Sequence, residues 1–346
     1  MSDLRIAASR SRIAASALLG LCVCAALPAQ AQSANDFYKG KQMTIIVGSA
    51  PGGGYDATAR LFARFIGQHI PGTPNVIVQN MPGAGSLTAT NNLYNLAPKD
   101  GTTIGVVQRG MLTAKLTNPN GVRFDVEKMN WIGNLAPEVA TIVSWKTSPV
   151  KTADDLFNKE LIVGGPGPTL DPETTPRLLN ALLGTKFRIV SGYTGNTEIL
   201  LAMERGEVAG TADLAWSNVK RRTDLRPNLN ILMQTGLEKA PDLDVPLALD
   251  YVKNEEDREV MELFFVQKTV ARPLVAPPNV PADRVAVLRQ AFLDMTKDAG
   301  FKTEADKLQL DVEPATGEDI QKIIAKIAAT PQALADRLTK AITAPK

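Results

Sequence analysis

The sequence is poor in the side chains that most often carry enzyme chemistry. Its 346 residues include two cysteines and one histidine, His69, which stands at a predicted helix end beside Pro71 and Gly72. Zinc sites are built mainly from cysteine and histidine, and a serine hydrolase needs a histidine base with a Gly-x-Ser-x-Gly turn, which this chain lacks. We therefore expect no metal site, no catalytic residue and no cofactor, and we interpret the protein as a non-enzyme.

The N-terminal segment has the pattern of an export signal. A basic region with Arg5, Arg10 and Arg12 precedes the apolar stretch Ile13–Leu27, and Ala29-Gln30-Ala31 has the A-x-A form of a cleavage site. We expect residues 1–31 to be a signal peptide cleaved after Ala31, and the mature protein to be periplasmic. Both cysteines lie inside this segment, so the mature chain would have no disulfide and would depend on core burial for stability.

The balance of charge excludes two classes of partner. The signal peptide contains three of the 38 basic residues and one of the 36 acidic residues, so 35 of each sign remain in the mature chain. Proteins that bind nucleic acid or a membrane surface usually carry a clear excess of positive charge. We therefore expect neither as a partner.

Two glycine-rich loops are the main candidates for a binding site. Ile45–Arg60 predicts a buried strand, a turn through Gly52–Gly54 and the start of a helix. Val76–Asn80 predicts a second strand, followed by the loop Met81–Ser86 and another helix. Glycines let the backbone approach a ligand, and the free N–H groups at a helix N-terminus favour a negative charge. Both loops are therefore predicted to hold an anion.

The mature chain alternates strand-like and helical segments, which is typical of a mostly parallel α/β fold, and it is long enough for two domains. The predicted strands include Asn75–Gln79, Thr103–Val107, Leu161–Val163, Phe187–Val190 and Val208–Thr211. The predicted helices include Ser86–Leu96, Glu173–Leu183, Thr197–Arg205, Pro281–Ala299, Glu318–Ala328 and Pro331–Ile342.

Glycine loops also occur in nucleotide-binding enzymes, but the residues here do not fit those motifs. Gly48 and Gly53 have P-loop spacing, yet Gly54 and Tyr55 stand where Lys and Ser or Thr are required. Gly83-Ala84-Gly85 begins like a dinucleotide fingerprint, but Thr88 occupies the third glycine position.

Further candidate residues follow other predicted strands, on the side where open α/β sheets bind ligands. They are Arg109, a candidate counter-ion, and in the second half of the chain Thr169, Asp171, Thr194, Gly195, Asn196 and Asp213. An alternative is that Thr194 and Asn196 only cap the next helix. Asp56 likewise has two interpretations, because a carboxylate repels a bound carboxylate and is often a loop organiser.

Four motifs in order resemble the solute-binding proteins of the tripartite tricarboxylate transporters, extracytoplasmic receptors of the Bug/TctC type. They are Pro51–Asp56 with Ala59-Arg60, Asn80–Ser86, Ala97–Thr102 and Ala276–Pro281. The resemblance implies a type II periplasmic-binding-protein fold, in which two α/β lobes enclose a ligand cleft. It also implies that a carboxylate is held by Gly53, Gly54, Tyr55, Asp56, Gly85 and Ser86. Many members have glycine where this chain has Ser86.

From this resemblance we expect lobe one to comprise residues 32–136 plus 252–346 and lobe two residues 137–251. The chain would cross between them near Asn134–Thr141 and Leu243–Val252. The implied function is capture of a small organic carboxylate by cleft closure and delivery to the membrane permease subunits of the transporter, by a monomer. The alternatives are a receptor for another anion such as an aromatic acid or acidic amino acid, a ligand-sensing lobe for a signalling partner, and an exported enzyme of unknown chemistry.

Overall fold

The first of two β-sheets has six strands. The computed structural model describes residues 34–343 except Asn118, so the predicted signal peptide, residues 1–31, lies outside the described residues. The strands of the first sheet are β1 (Gln42–Val47), β2 (Asn75–Asn80), β3 (Thr103–Val106), β4 (Asn130–Asn134), β10 (Pro273–Ala276) and β11 (Ala315–Thr316). Their order is β11-β4-β10-β3-β1-β2; β1 is parallel to β2 and β3, and β10 is antiparallel to β3 and β4.

The second sheet has five strands from the middle of the chain. They are β5 (Ala140–Trp145), β6 (Leu161–Gly165), β7 (Phe187–Ser191), β8 (Gly210–Ala215) and β9 (Leu229–Thr235). Their order is β7-β6-β8-β5-β9; β6 is parallel to β7 and β8, whereas β5 is antiparallel to β8 and β9. We call the α/β units built on the two sheets the first lobe and the second lobe.

Helices cover both faces of each sheet. They are α1 (Ala34–Phe37), α2 (Gly54–His69), α3 (Leu87–Asn95), α4 (Ala114–Thr117), α5 (Asp155–Asn158), α6 (Asp171–Leu183), α7 (Asn196–Glu204), α8 (Trp216–Arg221), α9 (Glu255–Phe265), α10 (Ala282–Lys297), α11 (Ala299–Lys307), α12 (Gly317–Ala328) and α13 (Gln332–Thr343). Short 3-10 turns that matter for the site are Ala84–Ser86, Arg109–Leu112 and Val266–Val270. The predicted α/β architecture is therefore confirmed.

Helix α2 illustrates why these segments fold as they do. Ala59, Phe62 and Ile66 recur at helical spacing and are fully buried, since they form one face of the helix. Phe62 packs edge-to-face against Phe292 of α10, with ring centroids 5.9 Å apart. The helix ends at His69, just before Pro71, because proline has no N–H for helix continuation. This packing fixes the N-terminal end of α2 beside the first glycine loop.

Two helices from the range predicted for lobe one pack with the second sheet. Val260 and Phe264 of α9 belong to the same buried cluster as Ile142 of β5. Leu338 and Ile342 of α13 belong to that cluster as well. The range 252–346 therefore contributes to the cores of both lobes, and the predicted lobe boundaries remain a prediction.

Strand β8 differs from its prediction in a way that matters for the site. The sequence predicted Val208–Thr211 with Asp213 beyond the end, but the strand runs from Gly210 to Ala215 and contains Asp213. Opposite Ile142 of β5 the pairing shifts by one residue, so β8 has a β-bulge there. Asp213 adopts φ of 69°, a left-handed backbone conformation that is uncommon for a residue other than glycine.

Candidate functional site

A cleft of about 590 Å³ lies between the two lobes. Loops that follow β1, β2 and β3 form one wall, and loops that follow β6, β7 and β8 form the other, so the carboxyl ends of both parallel strand sets face the same space. The predicted site residues that border it are Gly53, Gly54, Tyr55, Gly85, Ser86, Arg109, Asp171, Thr194, Gly195, Asn196 and Asp213. Asp56 lies behind the first loop, and Thr169 borders a neighbouring cavity of about 270 Å³.

Asp56 organises the first glycine loop. Its carboxylate is buried and accepts hydrogen bonds from the Gly52 N–H at 2.9 Å, from Asn80 Nδ2 at 2.9 Å and from Arg60 Nε at 3.0 Å. Burial opposes ionisation, but these hydrogen bonds outweigh it and lower the pKa of Asp56. The contacts match the loop-organiser interpretation and join the loop to the end of β2.

The second glycine loop is interlocked with the first. Its residues Gly83, Ala84, Gly85 and Ser86 all have positive φ, so the backbone turns sharply at the cleft. The buried Ser86 hydroxyl accepts a hydrogen bond from the Gln108 N–H at 3.2 Å. Gly48 lies so close that a Cβ at this position would stand 1.6 Å from Ser86 Oγ. The Ser86 hydroxyl thus has a structural partner, and its contact with a ligand remains a prediction.

Tyr55 provides a hydrogen-bond donor at the cleft. Its hydroxyl oxygen accepts from the Arg109 N–H at 3.1 Å, and its own proton has no acceptor within the described part of the chain. Burial raises the pKa of Tyr55, more than the nearby Arg109 lowers it. The hydroxyl therefore stays protonated and can donate to a ligand oxygen.

Four charged side chains form a buried cluster at the boundary of the lobes. Arg109 Nε lies 2.7 Å from Asp171 Oδ2, and Arg109 Nη2 contacts Asp213 Oδ1. Lys268 Nζ contacts Asp213 Oδ2, which also accepts from Thr175 Oγ1 at 2.9 Å. Two cations and two carboxylates balance in this cluster, which we call the charge quartet. Arg109 therefore has protein carboxylates as partners, and its predicted role as a ligand counter-ion remains a prediction.

Burial and the charges within the quartet shift the pKa values of its members in different directions, and for Lys268 burial outweighs the nearby Asp213 and lowers the pKa. Burial alone would raise the pKa of Asp213, but the charges of Lys268 and Arg109 outweigh this effect and lower it. Burial also works against the charged form of Arg109, and Asp171 and Asp213 overcome it, so the pKa of Arg109 is raised. By formal charge, the two cations and two carboxylates of the quartet sum to zero.

Comparison with known proteins identifies the family of this chain. The sequence profile described as "Tripartite tricarboxylate transporter family receptor" matches residues 68–339. The chain belongs to this family. A curated relative of this receptor, the "UPF0065 protein in gbd 5'region" of Cupriavidus necator, is 33% identical over 221 residues. That match spans 62% of this chain and 64% of the relative, which is less than two thirds of the relative's length.

Solved structures establish the fold of the receptor. The periplasmic binding protein BugD is 19% identical with a TM-score of 0.72, and the match covers 88% of this chain and 98% of BugD. MatC from Rhodopseudomonas palustris, solved with bound malate, is 20% identical with a TM-score of 0.68, over 87% of this chain and 99% of MatC. The predicted type II periplasmic-binding-protein fold with two lobes is therefore confirmed.

Within residues 34–343 other than Asn118, no helix combines the length and hydropathy needed to span a bilayer. Over the same residues, no group of three or more His, Cys, Asp or Glu side chains is arranged to hold a metal ion.

Sequence analysis missed several residues that border or support the cleft of the receptor. Arg272 Nη1 lies 2.6 Å from Glu138 Oε2, and Arg272 Nη2 donates to Ser217 Oγ at 3.0 Å. Arg221 also borders the cleft and donates from Nη2 to Asn218 Oδ1 at 3.2 Å. These residues lie outside the glycine motifs, so no local pattern singled them out.

The second-lobe loops contain both occupied and free polar groups. The N–H and hydroxyl of Thr194 both donate to Glu198 Oε2, at 2.6 Å and 2.9 Å, so they organise the start of α7. Asn196 Oδ1 at the cleft, by contrast, is buried and has no hydrogen-bond partner among the described residues, and the same is true of Ser49 Oγ on the opposite wall. Buried polar atoms normally have partners, so these two atoms are exceptions among the described residues.

Proposed function

We propose that this receptor is a periplasmic solute-binding protein that captures a small organic carboxylate in its cleft and delivers it to the membrane permease subunits of a tripartite tricarboxylate-type transporter. The observation that carries the proposal is the pair of interlocked glycine loops, each of which leads into a helix whose N-terminal end faces the cleft. The malate bound by MatC supports a carboxylate as the ligand class. The export signal predicted in residues 1–31 agrees with a periplasmic location.

The chemistry of the first lobe suits a carboxylate. The first N–H groups of a helix have no partner within the helix, and the aligned peptide dipoles add about half a positive charge at that end. Gly53 and Gly54 leave these N–H groups accessible, and Tyr55 adds a neutral hydroxyl donor. We propose the predicted residues that border the cleft as ligand contacts, with Asp56 and Thr169 as supporting residues.

Binding would close the cleft, because ligand contacts come from both lobes. A shift from a mostly open to a mostly closed population requires on the order of 5 kcal/mol of differential affinity. A few hydrogen bonds to a charged ligand, at about 1.5–3 kcal/mol each, would supply it. We propose that the lobes move about the three segments that join β4 to β5, α9 to β10 and α12 to α13.

A thermal-unfolding screen against organic acids tests the proposal. Ligand at a hundredfold excess over its dissociation constant should stabilise the folded protein by about 2.7 kcal/mol. Malate, succinate, glutarate, adipate and citrate form the panel, and a neutral sugar and an amine are the controls. A response only to the sugar or the amine would contradict carboxylate capture.

The Gly53→Val variant tests whether the ligand binds at the first glycine loop. Gly53 has extended backbone angles, and the nearest atom to a Cβ there would be Ala50 O at 3.9 Å, so valine should fit the fold. Its side chain would enter the space next to the free N–H groups, so we expect ligand stabilisation to disappear while unfolding of the free protein stays cooperative. Full ligand response in this variant would place the site elsewhere.

A further inference from the structure

One arginine at the cleft lacks the carboxylate partner that its neighbours have. Four arginines border the cleft: Arg109, Arg221, Arg222 and Arg272. Three of them form ion pairs: Arg109 with Asp171 at 2.7 Å, Arg222 with Asp224 at 2.8 Å, and Arg272 with Glu138 at 2.6 Å. Within residues 34–343, leaving out Asn118, Arg221 forms no ion pair. It is the free cation of the described cleft wall.

The surroundings of Arg221 disfavour an isolated positive charge. The side chain is half-buried at the end of α8, and burial lowers the pKa of Arg221, with further lowering by the charges of Arg272 and Arg222. An arginine side chain nevertheless remains protonated in proteins. The guanidinium of Arg221 therefore lies in a partly desolvated region with other positive charges nearby. A bound anion would stabilise its charge.

Arg221 also lies on the second-lobe side of the first glycine loop. The Asn218 side chain that accepts its hydrogen bond lies against Gly54, since a Cβ at Gly54 would stand 3.1 Å from Asn218 Oδ1. The same Cβ would be 3.5 Å from Arg272 Nη2. The free cation is therefore close to the N-terminus of α2 but separated from it by the Asn218 amide.

The charges of the cleft indicate how many negative charges a ligand should carry. The N-termini of α2 and α3 together provide about one positive charge, enough for one carboxylate. The charge quartet is neutral, and Arg272 and Arg222 have their own carboxylates. Arg221 adds one further positive charge: the carboxylate of Glu138 acts on it from a distance, but Glu138 is paired with Arg272 and forms no ion pair with Arg221.

We propose that Arg221 binds a second acidic group of the ligand and thereby selects doubly charged ligands over singly charged ligands of the same length. This inference rests on the proposed function, since it assumes that the first carboxylate is held at the glycine loops. A purely structural role, as a cation at the C-terminal end of α8, is the competing explanation. That end already has Lys220, which pairs with Asp242 at 3.1 Å.

The test compares the selectivity of the wild type with that of Arg221→Gln. Calorimetric titration first finds the tightest binder among malate, succinate, glutarate, adipate and citrate, and then measures the same acid with one carboxylate replaced by an amide. We expect Arg221→Gln to weaken the intact acid about 10- to 100-fold, the range for loss of a hydrogen bond to a charged group, and the monoamide less than about 3-fold. Arg221→Lys, which keeps the charge, should retain part of the selectivity.

Arg222→Gln is the matched control, because it removes the same charge from the next residue, whose guanidinium is paired with Asp224. Its ratio of affinities for acid and monoamide should equal that of the wild type. If Arg221→Gln keeps the wild-type ratio, or if it only lowers the melting temperature of the free protein, the inference is wrong while the proposed function stands. If the wild type binds none of the acids, both fail.

Discussion

Asp213 shows at the scale of one residue how backbone strain and charge are coupled. The bulge in β8 places it at φ of 69°, a conformation that costs about 1–3 kcal/mol for residues other than glycine. In this position its two carboxylate oxygens contact Arg109 and Lys268, both buried. Neutralising two buried cations offsets the strain, so the bulge persists because of the ion pairs that it makes possible.

Asp213→Asn should therefore be strongly destabilising. The substitution keeps the shape of the side chain but leaves buried Lys268 without its carboxylate partner and Arg109 with Asp171 alone. Breaking a buried ion pair by removing one partner costs about 3–5 kcal/mol. The free energy of unfolding in urea measures the loss. The control is Asp224→Asn, because its pair with Arg222 is exposed and should matter far less. Equal effects of the two variants would mean that the quartet does not stabilise the fold.

Asp213 should also make the stability of the fold depend on pH, with lower stability at acidic pH. The pKa of Asp213 is lowered in the folded state, so its contribution is present above the unfolded-state pKa of about 3.9 and is lost as pH falls through the folded-state pKa. The stability difference between the wild type and Asp213→Asn should thus be constant above about pH 5 and shrink below about pH 4.

Sequence reasoning found three of the four residues of the charge quartet. Asp171, Asp213 and Arg109 were singled out because each was predicted to follow a strand, which is a local signal. Lys268 was missed because it lies in a 3-10 turn without a motif and meets Asp213 only through the tertiary fold. The sequence also could not reveal that Arg109 faces two protein carboxylates.

At the scale of elements, the three loops after β1, β2 and β3 form one unit. The Ser86 hydroxyl accepts from Gln108, and Gly48 packs directly against it. Residue 48 must lack a Cβ for this contact, because a Cβ there would also be 2.7 Å from Ser86 Cβ. The position of the second loop therefore depends on the residue at the end of the first strand.

We predict that Gly48→Ala is damaging and that Ser86→Gly rescues it. The new methyl group would overlap Ser86 and displace the second loop, at a cost of about 1–3 kcal/mol and with weaker ligand binding. The double variant removes the two closest atoms, Ser86 Oγ and Cβ, and leaves the Cα of residue 86 at 3.3 Å from the methyl group, and glycine suits φ of 80° at position 86. Urea unfolding and calorimetric titration of the four proteins measure both effects. A double variant as impaired as Gly48→Ala would show that the overlap is not the cause.

The elements themselves were largely predictable where the pattern is local. The predicted helix Glu318–Ala328 is observed as Gly317–Ala328, since its apolar residues recur with clear helical spacing. The antiparallel strands β5 and β9 were not predicted, because they lack the strand–loop–helix repeat that identified the parallel strands. The extension of β8 was missed since a bulge depends on the partner strand, which lies far away in the sequence.

At the scale of the whole molecule, contacts between the lobes are the feature that sequence could not provide. Arg109 follows the first sheet and Asp171 begins a helix of the second, and 62 residues of chain separate them. Gly54 and Asn218 likewise meet across the cleft. Such contacts exist only when the lobes approach, so they report on the balance between open and closed forms.

The Arg109–Asp171 pair should shift the equilibrium between the open and closed forms by the same amount whichever ligand is bound. If Asp171 acts by holding the lobes together, Asp171→Asn will favour the open form, and the apparent affinity will fall with the fraction of closed protein. Loss of a charged hydrogen bond, about 1.5–3 kcal/mol, predicts a reduction of about 10- to 100-fold. The factor should be the same for malate, succinate and adipate in calorimetric titration.

Arg221→Gln provides the contrast in that experiment. It removes a charge from the cleft wall and breaks no ion pair between the lobes, so the acid and its monoamide should respond differently. Asp171 was also predicted as a ligand contact, and that role has a different signature. If Asp171→Asn reorders the three acids, then Asp171 contacts the ligand directly and the pair with Arg109 does not control closure.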